Sequence, residues 1–318
     1  MNKTQKILLG VVILQIALIV IVFVGLRPKA ARNEPLLAGL DTAQVSAIQI
    51  KDNSNNVVEL AKQGESWVLA NGTEYPVLTQ SVSSLLEAIQ DIRTGRLVTS
   101  TSSSHQRLEV STENYQRQVT ITAGKDQFTL YLGSSPAPSN VHVRLEGDNA
   151  VYLTNAISVN SASAQVSNWI DTAFVQLDAN TVSGVTVKNG NGTFQFSRGA
   201  DNAWQFAGSN SAETLDPSLW SSYLTAFTNL RMIVPVSTSV EERFGLNSPT
   251  AQVTLRYLEN SAEKEATLTI GQQDPIDQNY FVQWSNSPYV VKISSFNAER
   301  IINLALTDLV TPQATATP

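Results

Sequence analysis

The chain has 318 residues, of which 42% are hydrophobic and 15% charged, and its formal net charge is −6. It has no cysteine and only two histidines, His105 and His142, which excludes disulfide scaffolds, zinc–cysteine sites and thiol nucleophiles. Five of the 21 basic residues lie in residues 1–32, which leaves 16 basic and 27 acidic residues, a net charge of −11, for the rest. A body this acidic repels phosphate backbones, so we expect no nucleic-acid partner.

The strongest local signal is an apolar run of 20 residues from Ile7 to Leu26, in which Gln15 is the only polar side chain. A helix of this length spans about 30 Å, the thickness of the hydrocarbon core of a bilayer. The run is longer than the apolar stretch of a cleaved signal peptide, and Arg27 follows it directly. We therefore predict a cytoplasmic stub, a transmembrane anchor in the lipid bilayer and a linker over residues 1–36.

The charges that flank this span are balanced, with Lys3 and Lys6 before it and Arg27, Lys29 and Arg32 after it, so they do not fix its orientation. The rest of the chain lacks cysteine and is rich in Ser, Thr, Asn and Gln, a composition typical of exported domains. We expect a single-pass protein of the cell membrane, with its N-terminus in the cytoplasm and the bulk of the chain outside.

An internal duplication follows the apolar run. Residues 45–51 match residues 182–188 at an offset of 137, Trp67 matches Trp204 at the same offset, and residues 129–133 match 267–271 at 138. A nearly constant offset over several landmarks is the signature of tandem repeats.

The offsets place repeat one at residues 37–172 and repeat two at residues 173–310. Residues 311–318 contain two prolines and no apolar periodicity, which predicts a disordered tail.

Each repeat shows three alternating strands, a helix with apolar residues at spacings of three and four, four more strands and a closing helix. The later strands are predicted at 117–123, 127–132, 140–145 and 150–154, and at 251–258, 265–270, 279–284 and 289–293. The closing helices are predicted at 156–170 and 295–309. The predicted fold class is α+β: an N-terminal transmembrane helix, then two tandem homologous repeats of antiparallel sheet backed by helices.

The sequence offers no set of catalytic side chains. It lacks a G-x-S-x-G elbow and the glycine-rich motifs that cradle phosphates. His105 lies in a polar loop, and His142 lies in an alternating strand, where we expect it to face solvent. Asp274 and Asp277 are interpreted as a solvated turn, because a full set of alternating calcium ligands does not follow. We predict no catalytic residue, no cofactor, no metal site and no enzymatic activity.

The tryptophans and two glycines have structural interpretations. Trp67 and Trp204 occupy matched strand positions, so we expect both rings to anchor the core rather than stack on a ligand. The ring of Trp284 is left open between the core and an exposed sheet face. Gly133 and Gly271 each end a predicted strand and are expected to be turn glycines.

These landmarks together resemble a bacterial family, domain-of-unknown-function family 4340, whose members combine a membrane span with a duplicated body. The similarity covers roughly residues 37–310. It is carried by the two matched first strands, by Trp67 and Trp204, by residues 267–271 and by Phe244-Gly245-Leu246. Repeat one departs from the pattern, because it has Leu108-Glu109-Val110 where repeat two has that tripeptide.

The resemblance implies an accessory or scaffold role, because such families are often encoded beside ABC-type exporter components of the gliding-motility type. An integral membrane partner such as an ABC permease is then expected. A second possibility is a surface or cell-envelope binding protein for glycan or peptidoglycan. A third is a hydrolase, against which the missing nucleophile–base set argues.

Overall fold

The computed structural model describes residues 15–16, 33–207 and 213–312, and within these ranges the protein is mostly β-structure. It divides into two compact units. The described residues of Met1–Val57 and Val82–Ala164 form one, and those of Val58–Ser81 and Gln165–Pro318 form the other. This division groups residues 58–81 with the second half of the chain, and the repeat boundary at residues 172 and 173 stays a prediction.

The first sheet has eight strands in the order β3-β2-β1-β5-β6-β7-β8-β4. Its strands are β1 (Val45–Asp52), β2 (Val57–Gln63), β3 (Ser66–Leu69), β4 (Leu97–Thr99), β5 (Arg117–Ala123), β6 (Asp126–Leu132), β7 (Val141–Leu145) and β8 (Val151–Thr154). The pairs from β5 to β8 are antiparallel, as short hairpin connections require.

The second half of the chain contains β9 (Ala173–Gln176), β10 (Val182–Asn189), β11 (Gly192–Arg198), β12 (Trp204–Phe206), β13 (Glu213–Leu215), β14 (Asn229–Arg231), β15 (Val234–Ser237), β16 (Ala251–Glu259), β17 (Ala262–Gln273), β18 (Tyr280–Trp284), β19 (Val290–Ile293) and β20 (Val310–Pro312). Eight of these strands form the second sheet, in the order β12-β11-β10-β16-β17-β18-β19-β15. The other four form two small ribbons, β13 with β20 and β14 with β9.

The two large sheets repeat one topology, strand for strand. Even their irregularities correspond: the β1–β5 register shifts between Val45 and Ala47, and the β10–β16 register shifts between Val182 and Gly184. Both first strands are preceded by a 3₁₀ turn, Thr42–Gln44 or Ala179–Thr181, which an aspartate side chain caps. These shared details indicate an internal repeat.

Three α-helices occur among the described residues: α1 (Thr79–Gln90), α2 (Pro217–Thr228) and α3 (Ser295–Ile302). Helix α1 buries Val82, Leu85, Leu86 and Ile89, the stripe that the three–four spacing predicts. Helices α2 and α3 begin after Asp216 and Ser294, whose side chains accept hydrogen bonds from backbone N–H groups of the first turn.

The predicted α+β class is wrong, because helices are few and the closing helix of repeat one does not form. Residues 156–170 contain only a 3₁₀ turn, Val166–Asn168. Ser158 and Ser161 bond to each other's backbone and side chain in this segment, so their hydroxyls stabilise a local turn in competition with a helix.

The second closing helix is shorter than the predicted 295–309, since α3 ends at Ile302. The side-chain amides of Asn189 and Asn191, from the β10–β11 turn, donate to the carbonyls of Ile301, Asn303 and Leu304. Acceptors at the end of the helix are thus satisfied without a further turn.

The N-terminal transmembrane helix of the predicted fold class is not found among the described residues. The longest helices that the structure describes have 12 residues, and none is long and apolar enough to cross a membrane. The predicted span from Ile7 to Leu26 lies outside the described residues, apart from residues 15 and 16. The predicted tail lies outside them from residue 313 onward.

Candidate functional site

A pocket of about 830 Å³ lies at the β12 edge of the second sheet, beside helix α2 and the 3₁₀ turn Ala179–Thr181. Its lining is both apolar and polar. The apolar side chains include Trp204, Phe206, Trp220 and Leu224, and the polar ones include Asn180, Arg198, Asn202 and Gln205. A concave, mostly apolar site with a few convergent polar groups is the usual form of a small-molecule site.

The β11–β12 hairpin places Arg198 directly across from Trp204. The guanidinium carbon lies 5.2 Å from the centroid of the Trp204 ring, which is within the range of a cation–π contact. Arg198 also donates from Nη1 to the Asn180 carbonyl at 2.8 Å and from Nη2 to the Ala179 carbonyl at 3.1 Å. These bonds hold the guanidinium between the hairpin and the turn.

Helix α2 supplies Trp220, one turn after its N-terminus. Asp216 caps the helix by accepting from the N–H groups of Ser218 and Leu219, and Pro217 stands at the first helical position. The Trp220 side chain is only 2% exposed. Its ring lies 4.2 Å from that of Phe196 and 5.0 Å from that of Trp204, centroid to centroid.

Two donors at this pocket have no acceptor in the part of the chain that the structure describes. Among the described residues, Arg198 Nε and Trp220 Nε1 are the buried side-chain nitrogen or oxygen atoms that lack a hydrogen-bond partner. Leaving a buried donor unsatisfied costs about 1–3 kcal/mol. Both atoms belong to residues that line the same pocket, and both can only donate. A bound molecule with acceptor oxygens would satisfy them.

The corresponding part of the first sheet is built differently. Lys62 lies across from Trp67, as Arg198 lies across from Trp204, but Lys62 is exposed. Trp67 is 6% exposed and thus buried as predicted, whereas Trp204 is only half-buried. The fourth residue of helix α1 is Val82, where α2 has Trp220. The aromatic pocket is therefore a feature of the second sheet.

Both histidines are buried, so the expectation that His142 faces solvent is wrong. His142 Nδ1 lies 3.0 Å from Ser134 Oγ, which also lies 3.2 Å from the Leu108 carbonyl oxygen. Burial lowers the pKa of His142. His105 Nε2 lies 3.0 Å from the Asn149 carbonyl oxygen. These contacts join loops beside the first sheet to one another and, through His142, to strand β7.

The Asp274 and Asp277 side chains face a cation that the chain supplies. Lys292 Nζ lies 2.5 Å from Asp274 Oδ2 and 2.8 Å from Asp277 Oδ2. Among the described residues, no group of three or more His, Asp or Glu side chains is placed to hold a metal ion. This acidic turn is therefore an ion-pair cluster, and the side chain of Lys292 is largely buried within it.

Apolar periodicity alone gives Trp220 the place of an ordinary core residue in the helix stripe of repeat two, and the sequence did not single out Arg198. One signal for the pocket was present, namely that a large tryptophan stands in α2 at the position where α1 has a small valine. The pairing of Arg198 with Trp204 depends on the length of the β11–β12 turn, which alternation alone does not give. Trp284, which was left open, is 5% exposed and belongs to the core.

A family model described as "Domain of unknown function (DUF4340)" matches residues 67–239, more than half of the chain. The match runs from the third strand of the first sheet to the edge strand β15 of the second, and it contains all the residues of the pocket. No curated protein and no solved structure matches the chain.

Proposed function

The chain belongs to the DUF4340 family, as its sequence landmarks indicate, and we propose that it is a non-catalytic binding protein that takes a saccharide in the Trp204 pocket. The observation that carries this proposal is the coincidence of a half-buried tryptophan with two unsatisfied donors in one concave site. The proposal develops the glycan-binding alternative that the sequence left open.

The composition of the pocket suits a sugar. A pyranose ring has an apolar face of C–H groups, which packs on an aromatic ring such as Trp204, and a rim of oxygens that accept and donate hydrogen bonds. The amides of Asn180, Asn202 and Gln205 can serve that rim in both roles. A purely apolar ligand such as an acyl chain would leave the donors of Arg198 and Trp220 unsatisfied, which disfavours it.

The size of the pocket is also appropriate. Its volume of about 830 Å³ lies within the range of roughly 300–1,000 Å³ that small-molecule sites occupy. It is large enough to hold one or two sugar units, with the rest of a longer chain extending from the sheet edge. An envelope glycan has this form, which supports the cell-surface role. The accessory role at a transport complex, with a permease as partner, stays a prediction.

The experiment is a titration of the full-length protein with a panel of neutral and acidic oligosaccharides, followed by tryptophan fluorescence and calorimetry. At least one member should bind and change the fluorescence, and Trp204→Leu should weaken that binding at least tenfold. Trp67→Phe, at the matched position of the first sheet, is the control and should bind as the wild type does. Binding by no member, or equal binding by the Trp204→Leu variant, would overturn the proposal.

A further inference from the structure

The charge of Arg198 has no counter-ion in the part of the chain that the structure describes. Its guanidinium forms no salt bridge there, and the two hydrogen bonds it donates go to neutral carbonyls. Among the described side chains that line the pocket, none is a carboxylate. A half-buried guanidinium with no anionic partner attracts anions, so the site favours a ligand that carries a negative charge.

The free donors fit a carboxylate. A guanidinium has five N–H donors, and Arg198 uses two of them in its bonds to the carbonyls of Asn180 and Ala179. Three N–H groups remain, and one of these is the buried Nε–H. Trp220 Nε1–H adds one more donor. The centroid of the Trp204 ring lies 5.0 Å from that of Trp220 and 5.2 Å from the guanidinium carbon of Arg198, so both residues pack on the same ring. Arginine binds planar carboxylates through paired N–H groups, which makes this the matching acceptor.

The helix beside the pocket does not favour a phosphate. The N–H groups of Ser218 and Leu219 would bind a phosphate at the N-terminus of α2, but both already donate to Asp216 Oδ1. Pro217, at the first position, has no N–H group to offer. The negative charge of Asp216 at this end opposes a dianion, whereas a singly charged carboxylate needs only Arg198 and Trp220.

We propose that the saccharide of this pocket is an acidic one, whose carboxylate binds between Arg198 and Trp220 while its ring packs on Trp204. This inference rests on the proposed function and adds the charge of the ligand to it. Both donor nitrogens are buried in the free protein, so a neighbouring side chain must shift before the carboxylate can reach them. Trp204 is half-buried and packs on both residues, so its ring is the one we expect to move. Binding must therefore change the fluorescence of that ring.

The test compares trigalacturonate with its methyl ester, which keeps the sugar skeleton and removes the charge, and with neutral chitotriose. Trigalacturonate should bind at least tenfold more tightly than its ester, since a charged hydrogen-bonded contact is lost in the ester. Galacturonate monomer and benzoate are included to separate a requirement for a sugar carboxylate from binding of any carboxylate. If benzoate binds tightly and the sugars do not, the proposal that the ligand is a saccharide would be overturned.

Two substitutions locate the contact. Trp220→Phe keeps the aromatic packing and removes only the Nε1–H donor. It should weaken the binding of trigalacturonate several-fold and leave the affinity for the ester unchanged. Arg198→Gln should abolish the preference for the acid over the ester. Lys62→Gln, at the matched and exposed cation of the first sheet, is the control and should keep the full preference.

The outcomes separate the two proposals. Equal binding of the acid and the ester, with both lost in Trp204→Leu, would overturn the acidic ligand and leave the saccharide site intact. If no sugar binds, both proposals fail. Because Arg198 also holds the turn at Ala179, the circular dichroism spectrum and unfolding midpoint of Arg198→Gln are measured alongside; the ester comparison needs no variant and decides the question if that variant misfolds.

Discussion

Gly133 and Gly271 occupy the same place in the two sheets, and each backs directly onto the carbonyl oxygen of a matched residue. A Cβ atom on Gly133 would overlap with the carbonyl of Leu108, and a Cβ on Gly271 would overlap with that of Phe244. Neither glycine has a positive φ angle. Close approach of two backbones therefore requires glycine here, which corrects the expectation that both are turn glycines.

The first prediction follows from this contact. Gly133→Ala and Gly271→Ala should each destabilise the protein by about 3 kcal/mol or more, because backbone atoms must move to admit the methyl group. Urea unfolding measures the loss. Gly190→Ala is the control, since no heavy atom lies within 4 Å of a Cβ there and φ is not positive. An equal loss in all three variants would show that the close approach is not the cause.

The second prediction concerns the residue that follows each contacting carbonyl. Glu109 has φ of 57° and Gly245 has φ of 65°, so both lie in the left-handed region, where a side chain is unfavourable. Gly245→Ala should destabilise the protein by about 1 kcal/mol or more, since Gln272 also crowds its Cβ position. Glu109→Gly should relieve strain in the first sheet.

Glu109→Gly relieves the backbone strain but also removes a hydrogen bond, because Glu109 Oε2 accepts from Gln116 Nε2 at 2.8 Å. Glu109→Ala is the matched variant, since it loses the hydrogen bond and keeps the strain. Glu109→Gly should be about 1 kcal/mol more stable than Glu109→Ala in urea unfolding. A Glu109→Ala protein as stable as Glu109→Gly would show that the backbone is not strained.

This pair of sites shows how far the sequence predicts the fold. The landmark Phe244-Gly245-Leu246 was aligned with Leu108-Glu109-Val110 despite the missing glycine, and the structure places both segments in matched core clusters. The alternation of apolar residues in strands and the constant offset between the repeats are enough to align these two segments. The first is a local signal and the second is a repeated one, so both can be seen in the sequence. The failed helix at residues 156–170 shows the limit, since serine hydroxyls in competition with helix hydrogen bonds are invisible to apolar periodicity.

The third prediction is a pH dependence set by the Lys292 cluster. The hydrogen bond from Lys292 lowers the pKa of Asp274 below 3.8. Burial raises the pKa of Asp277, but hydrogen bonds from Lys292 and Asn279 outweigh it and leave that pKa below 3.8 as well. Stability from these carboxylates is therefore present above about pH 4 and is lost as the pH falls through their folded pKa values.

The same cluster acts at alkaline pH. Burial lowers the pKa of Lys292, but Asp274 and Asp277 outweigh it and raise the pKa above 10.5. The contribution of charged Lys292 to the stability of the folded protein is complete below pH 10.5 and is lost as the pH rises through the pKa of Lys292 in the folded state. Lys292→Met should be less stable than the wild type at pH 7, and urea unfolding should show this difference shrinking at pH 2–3.

A control for this effect is Lys264→Met, because Lys264 pairs with Glu259 on the surface, where both side chains are half exposed. Exposed pairs contribute little, so this variant should unfold as the wild type does at every pH. A stability difference between Lys292→Met and the wild type that stays constant from pH 2 to 7 would contradict the assigned role of the cluster.

The pocket was less predictable than the fold. Matched positions correctly indicated that Trp67 and Trp204 have related places, and from this both were interpreted as core anchors. Their surroundings differ, because Trp204 faces Arg198 and Trp220 whereas Trp67 lies across from an exposed lysine. Divergence between repeats is set by side chains from distant segments, and a single sequence does not reveal which of them converge.

The last prediction uses this divergence. Trp67→Ala should destabilise the protein by about 3–5 kcal/mol, because it empties a site in which the ring is 6% exposed. Trp204→Ala should cost less, roughly 1–3 kcal/mol, since its half-buried ring already faces an open pocket. Urea unfolding of the two variants, with Trp284→Ala as a second buried ring at 5% exposure, gives the comparison. Trp67→Ala and Trp284→Ala should both exceed Trp204→Ala. If Trp204→Ala is the most destabilised of the three, the Trp204 ring is a core residue, and the proposal that a sugar ring packs on it would be wrong.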